Sequence, residues 1–205
     1  MSVFDTNPNI TINHIPSKYS VNFAGKTIET IVVTVKASNA DEWVHQILSI
    51  YAGTSTVVGI DTEWSLHPSK KAAILQLCIG ERCLIVQLSY MDNIPQSLKS
   101  FLMDSNFTFV GIGVSRDIAK LLEYELNCSK STDIGQVAKK LWPGRFQGPS
   151  LKELALEIVG LNMRKPKDIS MSNWEARLLN EAQIEYACID AYASYRIGYK
   201  LLMEE

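Results

Sequence analysis

Four short apolar runs constrain the fold more than anything else in the chain: "VVGI" from Val57, "AAILQLCIG" from Ala72, "RCLIVQL" from Arg82 and "FTFVGIG" from Phe107. Each is bounded by turn residues and is short for a buried helix, so each reads as a buried strand. Gly80 and Glu81 alone separate the second run from the third, which makes that pair a hairpin. The third and fourth are separated by "IPQSLKSFLMD", a short helix with proline near its start. Upstream, "KYSVNFAGKTIETIVVTVKA" reads as two more strands turning at Ala24 and Gly25. "SNADEWVHQILSIYAG" follows as a helix, with Trp43, Ile47, Leu48 and Tyr51 on a helical period and Gly53 as the stop. A chain that begins with hairpins and then alternates strands with helices predicts an α/β fold, a mixed central β-sheet flanked by α-helices.

Beyond the fourth strand the pattern is helical. "SRDIAKLLEYEL" reads as a helix; "SLKEL" from Ser150 has the capping-box pattern, with Glu153 three residues on. Asn180 and Gln183 mark the start of a long last helix through "IEYACIDAYASYRIGYKLL". Pro143, Gly144, Gly148 and Pro149 form the one conspicuous loop. No repeat or linker interrupts the chain, and 205 residues suit one α/β domain and are short for two. We therefore expect a single domain over 1–205, with an N-terminal hairpin at about 18–36 and a core at about 47–202.

Composition enters mainly by exclusion. With 46% hydrophobic and 20% charged residues, disordered and fibrous classes are set aside. Cys78, Cys83, Cys128 and Cys188 form no CxxC pair, and His14, His45 and His67 are far apart, which argues against zinc and for buried thiols in a reducing compartment. "MSVFDTNPNI" has no signal-peptide pattern, and no apolar run approaches the roughly 18 to 20 residues of a membrane span. A cytoplasmic protein, or a nuclear one, with no membrane partner is the expectation. The net charge of −2 means that any nucleic acid must be met by a local basic patch.

The first run continues into two acids, "VVGIDTEW", where Asp61 and Glu63 stand two apart and so leave a strand on the same side. Paired carboxylates repel one another and need a cation, for which a hard divalent ion such as Mg²⁺ or Mn²⁺ is the natural candidate. A solvated edge strand explains a lone DxE equally well. Asp117 lies just past the fourth strand in the first turn of a helix, where capping and the helix dipole alone account for an acid. Tyr186 and Asp190 are four apart on one face of the last helix, the spacing of an ordinary surface hydrogen bond. Each has a plain structural reading when taken singly.

Taken in order, these features resemble the DnaQ-like 3'-5' exonucleases of the ribonuclease H superfamily, in the tyrosine-bearing subclass called DEDDy. "VVGIDTEW", "AAILQLCIG", "FVGIGVSRDIAKL", "GPSLKELALEIVGL", "SNW" at Ser172 to Trp174 and "QIEYACIDAY" are similar, in sequence order, to the exonuclease domain of the Werner syndrome type. Where the sister subclass carries histidine, five before its last aspartate, this chain has Glu185, and Tyr186 stands at the tyrosine position. Cys188, Ile189 and Arg116 depart from the usual residues without touching a ligand position. The resemblance implies a ribonuclease H-like fold and a catalytic set of Asp61, Glu63, Asp117, Tyr186 and Asp190. The four acids would hold two divalent ions, Mg²⁺ or Mn²⁺, and Tyr186 would orient the attacking water. The product would be a nucleoside 5'-monophosphate.

Single-stranded nucleic acid is the implied partner. From Lys139 to Lys167 there are seven basic residues against two acids, a candidate path for phosphates and equally an ordinary solvated surface. Candidate substrate contacts are Thr62, Trp64, Arg116, Arg164, Lys165 and Lys167; Trp64 suits base stacking or core packing alike. The bare catalytic domain resembles the small plant branch of the Werner-type family. Within it, the chain is similar to exoribonucleases that work beside Argonaute silencing complexes (RISC) and clear their products, which favours RNA over DNA and makes a RISC component a candidate partner. A small, nearly neutral protein has few ways to grip a polymer, so a homo-oligomer in which a neighbour supplies part of the groove is also expected. A Werner-type DNA exonuclease, an inactive DnaQ-like binding module and a ribonuclease H or junction-type endonuclease are the alternatives. The complete set of five catalytic positions argues against the inactive module, and the pairing of Tyr186 with Asp190 argues against the endonuclease.

Overall fold

The computed structural model describes residues 18–64, 71–91 and 93–204. His14, His67 and the N-terminal stretch inspected for a targeting signal lie outside those residues. Strands β1 (Lys18–Phe23) and β2 (Lys26–Val33) form the N-terminal hairpin. Ala24 and Gly25 at its tip both take positive φ, 50° and 75°, as a two-residue turn matched to the strand twist requires. Helix α1 (Ala37–Ile50) leads to β3 (Thr56–Trp64), β4 (Ala72–Ile79) and β5 (Arg82–Gln87). Then come α2 (Gln96–Leu102), β6 (Phe107–Gly111), α3 (Val114–Leu121), β7 (Ser131–Asp133), α4 (Ile134–Leu141), α5 (Leu151–Val159), α6 (Lys167–Ser170) and α7 (Glu181–Leu202).

The seven strands form one mixed sheet in the order β1-β2-β5-β4-β3-β6-β7. β3, β4 and β5 are antiparallel neighbours, whereas β2 runs parallel to β5, and β6 and β7 run parallel to β3. The N-terminal hairpin thus completes the sheet, with β1 at its margin. All eight residues of β4 are buried, which is why its sequence shows no alternation.

Helices cover both faces. On one, Trp43 of α1 meets Phe101 of α2 edge to face at 5.6 Å, and Phe101 packs on Phe107 and Phe109 of β6 at 4.7 and 5.8 Å. On the other, α7 lies against β3 to β6, and α4 and α5 pack outside it. The approach of α7 is close. A Cβ on Gly59 of β3 would stand 2.0 Å from the Ala191 carbonyl oxygen, and one on Gly198 would stand 2.5 Å from Val110 Cγ2.

Three local expectations need correction. The helix over "SRDIAKLLEYEL" stops at Leu121 and tightens into a 3₁₀ turn at Leu122–Tyr124. Glu125, at φ 57°, then reverses the chain and lets Leu126 reach the core. Leu48, which shares the helical period of Trp43 and Ile47, does not share their burial and is 37% exposed. β7 and α4 were not anticipated, because a three-residue strand carries no period to read.

Candidate active site

β3 lies inside the sheet, between β4 and β6, so the solvated-edge explanation of its two acids does not hold. Gly59 faces α7, and the two-residue period of the strand turns Asp61 and Glu63 to that same side. There they meet Asp190 of α7: one carboxylate oxygen from each of Asp61, Glu63 and Asp190 lies within 4.8 Å of the others. Asp190 is 1% exposed and Tyr186 8%, which removes the surface-pair reading of that helix face.

Asp117 is held at the margin of this group and not within it. Its Oδ1 accepts a 2.6 Å hydrogen bond from Thr62 Oγ1, and both residues are buried. Thr62, expected to face substrate, therefore has its hydroxyl directed at Asp117. The α3 turn that carries Asp117 begins at Gly113, whose left-handed backbone (φ 67°) suits glycine. Gly113 N–H donates to Asp133 Oδ2 at 2.8 Å, while Asp133 Oδ1 accepts from Gly135 and Gln136 N–H at the start of α4. One carboxylate thus caps α4 and fixes the entry to α3.

The start of α7 is braced in a similar way. Asn180 and Gln183 make a reciprocal capping box, and the same Gln183 Nε2 donates to Ser172 Oγ at 2.9 Å and to the Asn173 carbonyl at 3.1 Å. Trp174, anchored by its Nε1 donating to the Ser170 carbonyl, packs against Tyr186 with ring centroids 5.9 Å apart. The "SNW" segment is thereby the support of the Tyr186 ring. Over that ring, at 5.4 Å, stands the ammonium of Lys165, whose Nζ is 2.6 Å from Asp190 Oδ2.

Electrostatics follow from three converging acids, two half-buried and one buried, with buried Asp117 at their margin. Burial, reinforced by the Asp61 and Asp190 charges, pushes the Glu63 carboxyl up to about 9. Burial and Asp61 push Asp117 up to about 8 against the opposing Thr62 hydrogen bond. Asp190 rises to about 7, chiefly by burial, with the Lys165 ammonium holding it back; Asp61 rises for the same first reason. Burial also disfavours the charge on Lys165, but Asp190 and Asp61 outweigh it and hold the ammonium charged. The Tyr186 hydroxyl is pushed up to about 12 by burial and by Asp190, so it is neutral at physiological pH.

The donors fit a hard divalent ion, since all are carboxylate oxygens converging on one point. Gln76 fits as well. It lies directly opposite Asp61 in the β3–β4 register, fully buried, and among the described residues neither its Nε2 nor its Oε1 has a hydrogen-bond partner. A buried amide left without a partner beside a carboxylate would be able to hydrogen-bond it if that carboxylate held a metal, as ligating carboxylates are in turn hydrogen-bonded. Within an apolar strand, only its polarity marked it out. Of the other candidate contacts, Trp64 is 38% exposed with Lys120 Nζ 6.0 Å above its ring, and Arg116, Arg164 and Lys167 are exposed. In the basic run, Arg145 is paired with Glu157 at 2.6 Å. Among the described residues no helix is long and apolar enough to cross a membrane.

Comparison with known proteins places this site in context. A 3'-5' exonuclease of Arabidopsis thaliana is 33% identical over 153 residues, 72% of this chain and 52% of that protein. The bifunctional 3'-5' exonuclease/ATP-dependent helicase WRN of Mus musculus is 32% identical over 179 residues, 84% of this chain and 13% of that protein. The chain thus spans about half or less of the length of these relatives. The crystal structure of Escherichia coli RNase D, described as an exoribonuclease involved in structured RNA processing, superposes with a TM-score of 0.69 at 23% identity, covering 84% of this chain and 44% of that one. That likeness shows the ribonuclease H-like fold. The 3'-5' exonuclease family model matches residues 32–204, from the end of β2 to the end of α7. By that match the chain belongs to the 3'-5' exonuclease family.

Proposed function

We propose that the chain is a metal-dependent 3'-5' exonuclease that releases nucleoside 5'-monophosphates from single-stranded nucleic acid. One observation carries the reading: carboxylates from two separate elements, β3 and α7, converge to within 4.8 Å beside a neutral tyrosine. Asp61, Glu63 and Asp190 would hold divalent ions, with Asp117 completing the set. Bound there, two such ions supply activation of a water and stabilisation of the leaving 3'-oxygen. Tyr186, with its hydroxyl pushed up to about 12, suits hydrogen-bond positioning of that water and not proton abstraction. Trp174, packed against the Tyr186 ring, supports its position.

We favour RNA as the substrate and fragments left by small-RNA-guided cleavage as its source, on the resemblance to the small Argonaute-associated branch. Exposed Trp64, Arg164 and Lys167 suit a terminal base and the adjoining phosphates. Self-association belongs to the same reading; a clean monomer near 22.9 kDa by light scattering would remove it. The decisive assay gives the protein Mg²⁺ or Mn²⁺ with matched RNA and DNA oligonucleotides, free or blocked at the 3' end. Stepwise shortening of free-ended RNA, lost on a 3' block and in Asp61→Ala, is expected. Cleavage that ignores the block or survives the substitution overturns the reading, and faster shortening of DNA overturns its RNA part.

A further inference from the structure

Lys165 is set apart from the basic residues around it. Between α5 and α6 the chain is anchored by Leu161 and Met163, both buried, and Arg164 and Lys167 turn outward while Lys165 turns in. Its ammonium, 2.6 Å from Oδ2, pairs with a side chain only 2% exposed. The surface pairs Lys18–Glu42, Arg82–Glu29 and Arg145–Glu157 leave their acids 45, 67 and 44% exposed. Such exposed pairs contribute little, whereas an ammonium brought to a buried carboxylate neutralises a charge that water cannot reach. The same Asp190 is one of the three acids whose oxygens converge. An ammonium and a divalent ion would therefore be seeking the same lone pairs.

We propose that Lys165 is a tethered cation that competes with the divalent ion for Asp190, so that metal entry displaces its ammonium from the carboxylate. This rests on the metal-binding reading of the site given above. Displaced, the ammonium has an anion of its own to seek, the phosphodiester of a bound strand, and substrate then favours metal loading by removing the competitor. Lys165 thereby acts as a positioning residue, through Asp190, and sets how tightly the site holds metal when no strand is present.

The test is Mn²⁺ binding by calorimetry at pH 8 without nucleic acid, using the intact chain, Lys165→Met, Lys165→Arg and Asp61→Asn, with thermal midpoints measured in chelator and in saturating Mn²⁺. Lys165→Met should bind Mn²⁺ at least tenfold more tightly, well within what one unit charge about 4 Å away is worth at an effective dielectric of about 20. Lys165→Arg, which keeps the charge, should stay near the parent. In chelator the Lys165→Met midpoint should fall, and in saturating Mn²⁺ it should rejoin the parent's. Equal or weaker Mn²⁺ binding by Lys165→Met, beside a parent that binds and an Asp61→Asn that binds less, overturns the competition alone. No binding by the parent overturns the metal reading and the competition with it.

Discussion

β3 and α7 meet twice, in opposite ways. At Gly59 the helix backbone lies directly on the strand, with no room for a single added carbon against the Ala191 carbonyl. Two and four residues further along the same face, the strand presents Asp61 and Glu63 to Asp190, where acids repel one another. The first contact is dry, close and favourable. The second is charged and, without a cation, unfavourable. The difference teaches how the site is kept: packing at Ala191 and Tyr195, in the middle of the helix, holds in place the neighbouring Asp190 and the carboxylates that would otherwise separate from it.

The contrast can be broken most severely at its dry end. Gly59→Ala should destabilise the protein by about 3 kcal/mol or more, at the top of the range for overpacking, because its Cβ meets backbone that cannot rotate away. Chemical denaturation reads this directly, and a change below 0.5 kcal/mol would show that the helix can lift. The charged end should show itself next, in the pH dependence of metal-free stability. Folded Asp190, Asp117 and Glu63 sit at about 7, 8 and 9, above the range of about 4 for unfolded carboxyls. From about pH 4 upward the unfolded chain loses protons that the folded one retains, so stability falls as pH rises through those folded values. Thermal midpoints in chelator should decline from pH 5 to 9, and saturating Mn²⁺ should flatten the slope; a rising midpoint would contradict the crowding of acids.

Two smaller effects sharpen the same comparison. Gly198→Ala should cost about 1 to 2 kcal/mol, less than Gly59→Ala, because its added carbon meets the Val110 side chain and not backbone. Reversal of that order would mean that the helix is pinned at β6 and not at β3. Glu63→Gln should have the opposite sign, raising the midpoint in chelator by about 2 to 4 °C, the worth of about 1 kcal/mol in a chain of this size. The same variant should lose nuclease activity, and a lower midpoint would mean that Glu63 carries structural weight.

How much of this is legible in the sequence depends on the range of each interaction. Asp61 and Glu63 can be placed on one face because strand geometry fixes neighbours two apart, and Tyr186 and Asp190 because helix geometry fixes neighbours four apart. The strands and the last helix follow from apolar runs and from the Asn180–Gln183 cap. Asp133 is less visible: it closes a three-residue strand, and its two-sided grip on Gly113 and α4 exists only after both have docked. Lys165 sits among basic residues that look alike in sequence, and its turn toward Asp190 is set by the buried neighbours that anchor its loop. Gln76 reads as one more residue of a buried strand until its register partner is seen to be Asp61.

The order in which the site is made carries one last consequence. α7, which brings Tyr186 and Asp190, is the last described element in the chain, yet it packs across most of the sheet. As a polypeptide emerges from the ribosome, everything else can form first. Until that final helix docks, Asp61, Glu63 and Asp117 lack Asp190 and Tyr186, and on the proposed reading a half-made molecule has no complete metal site.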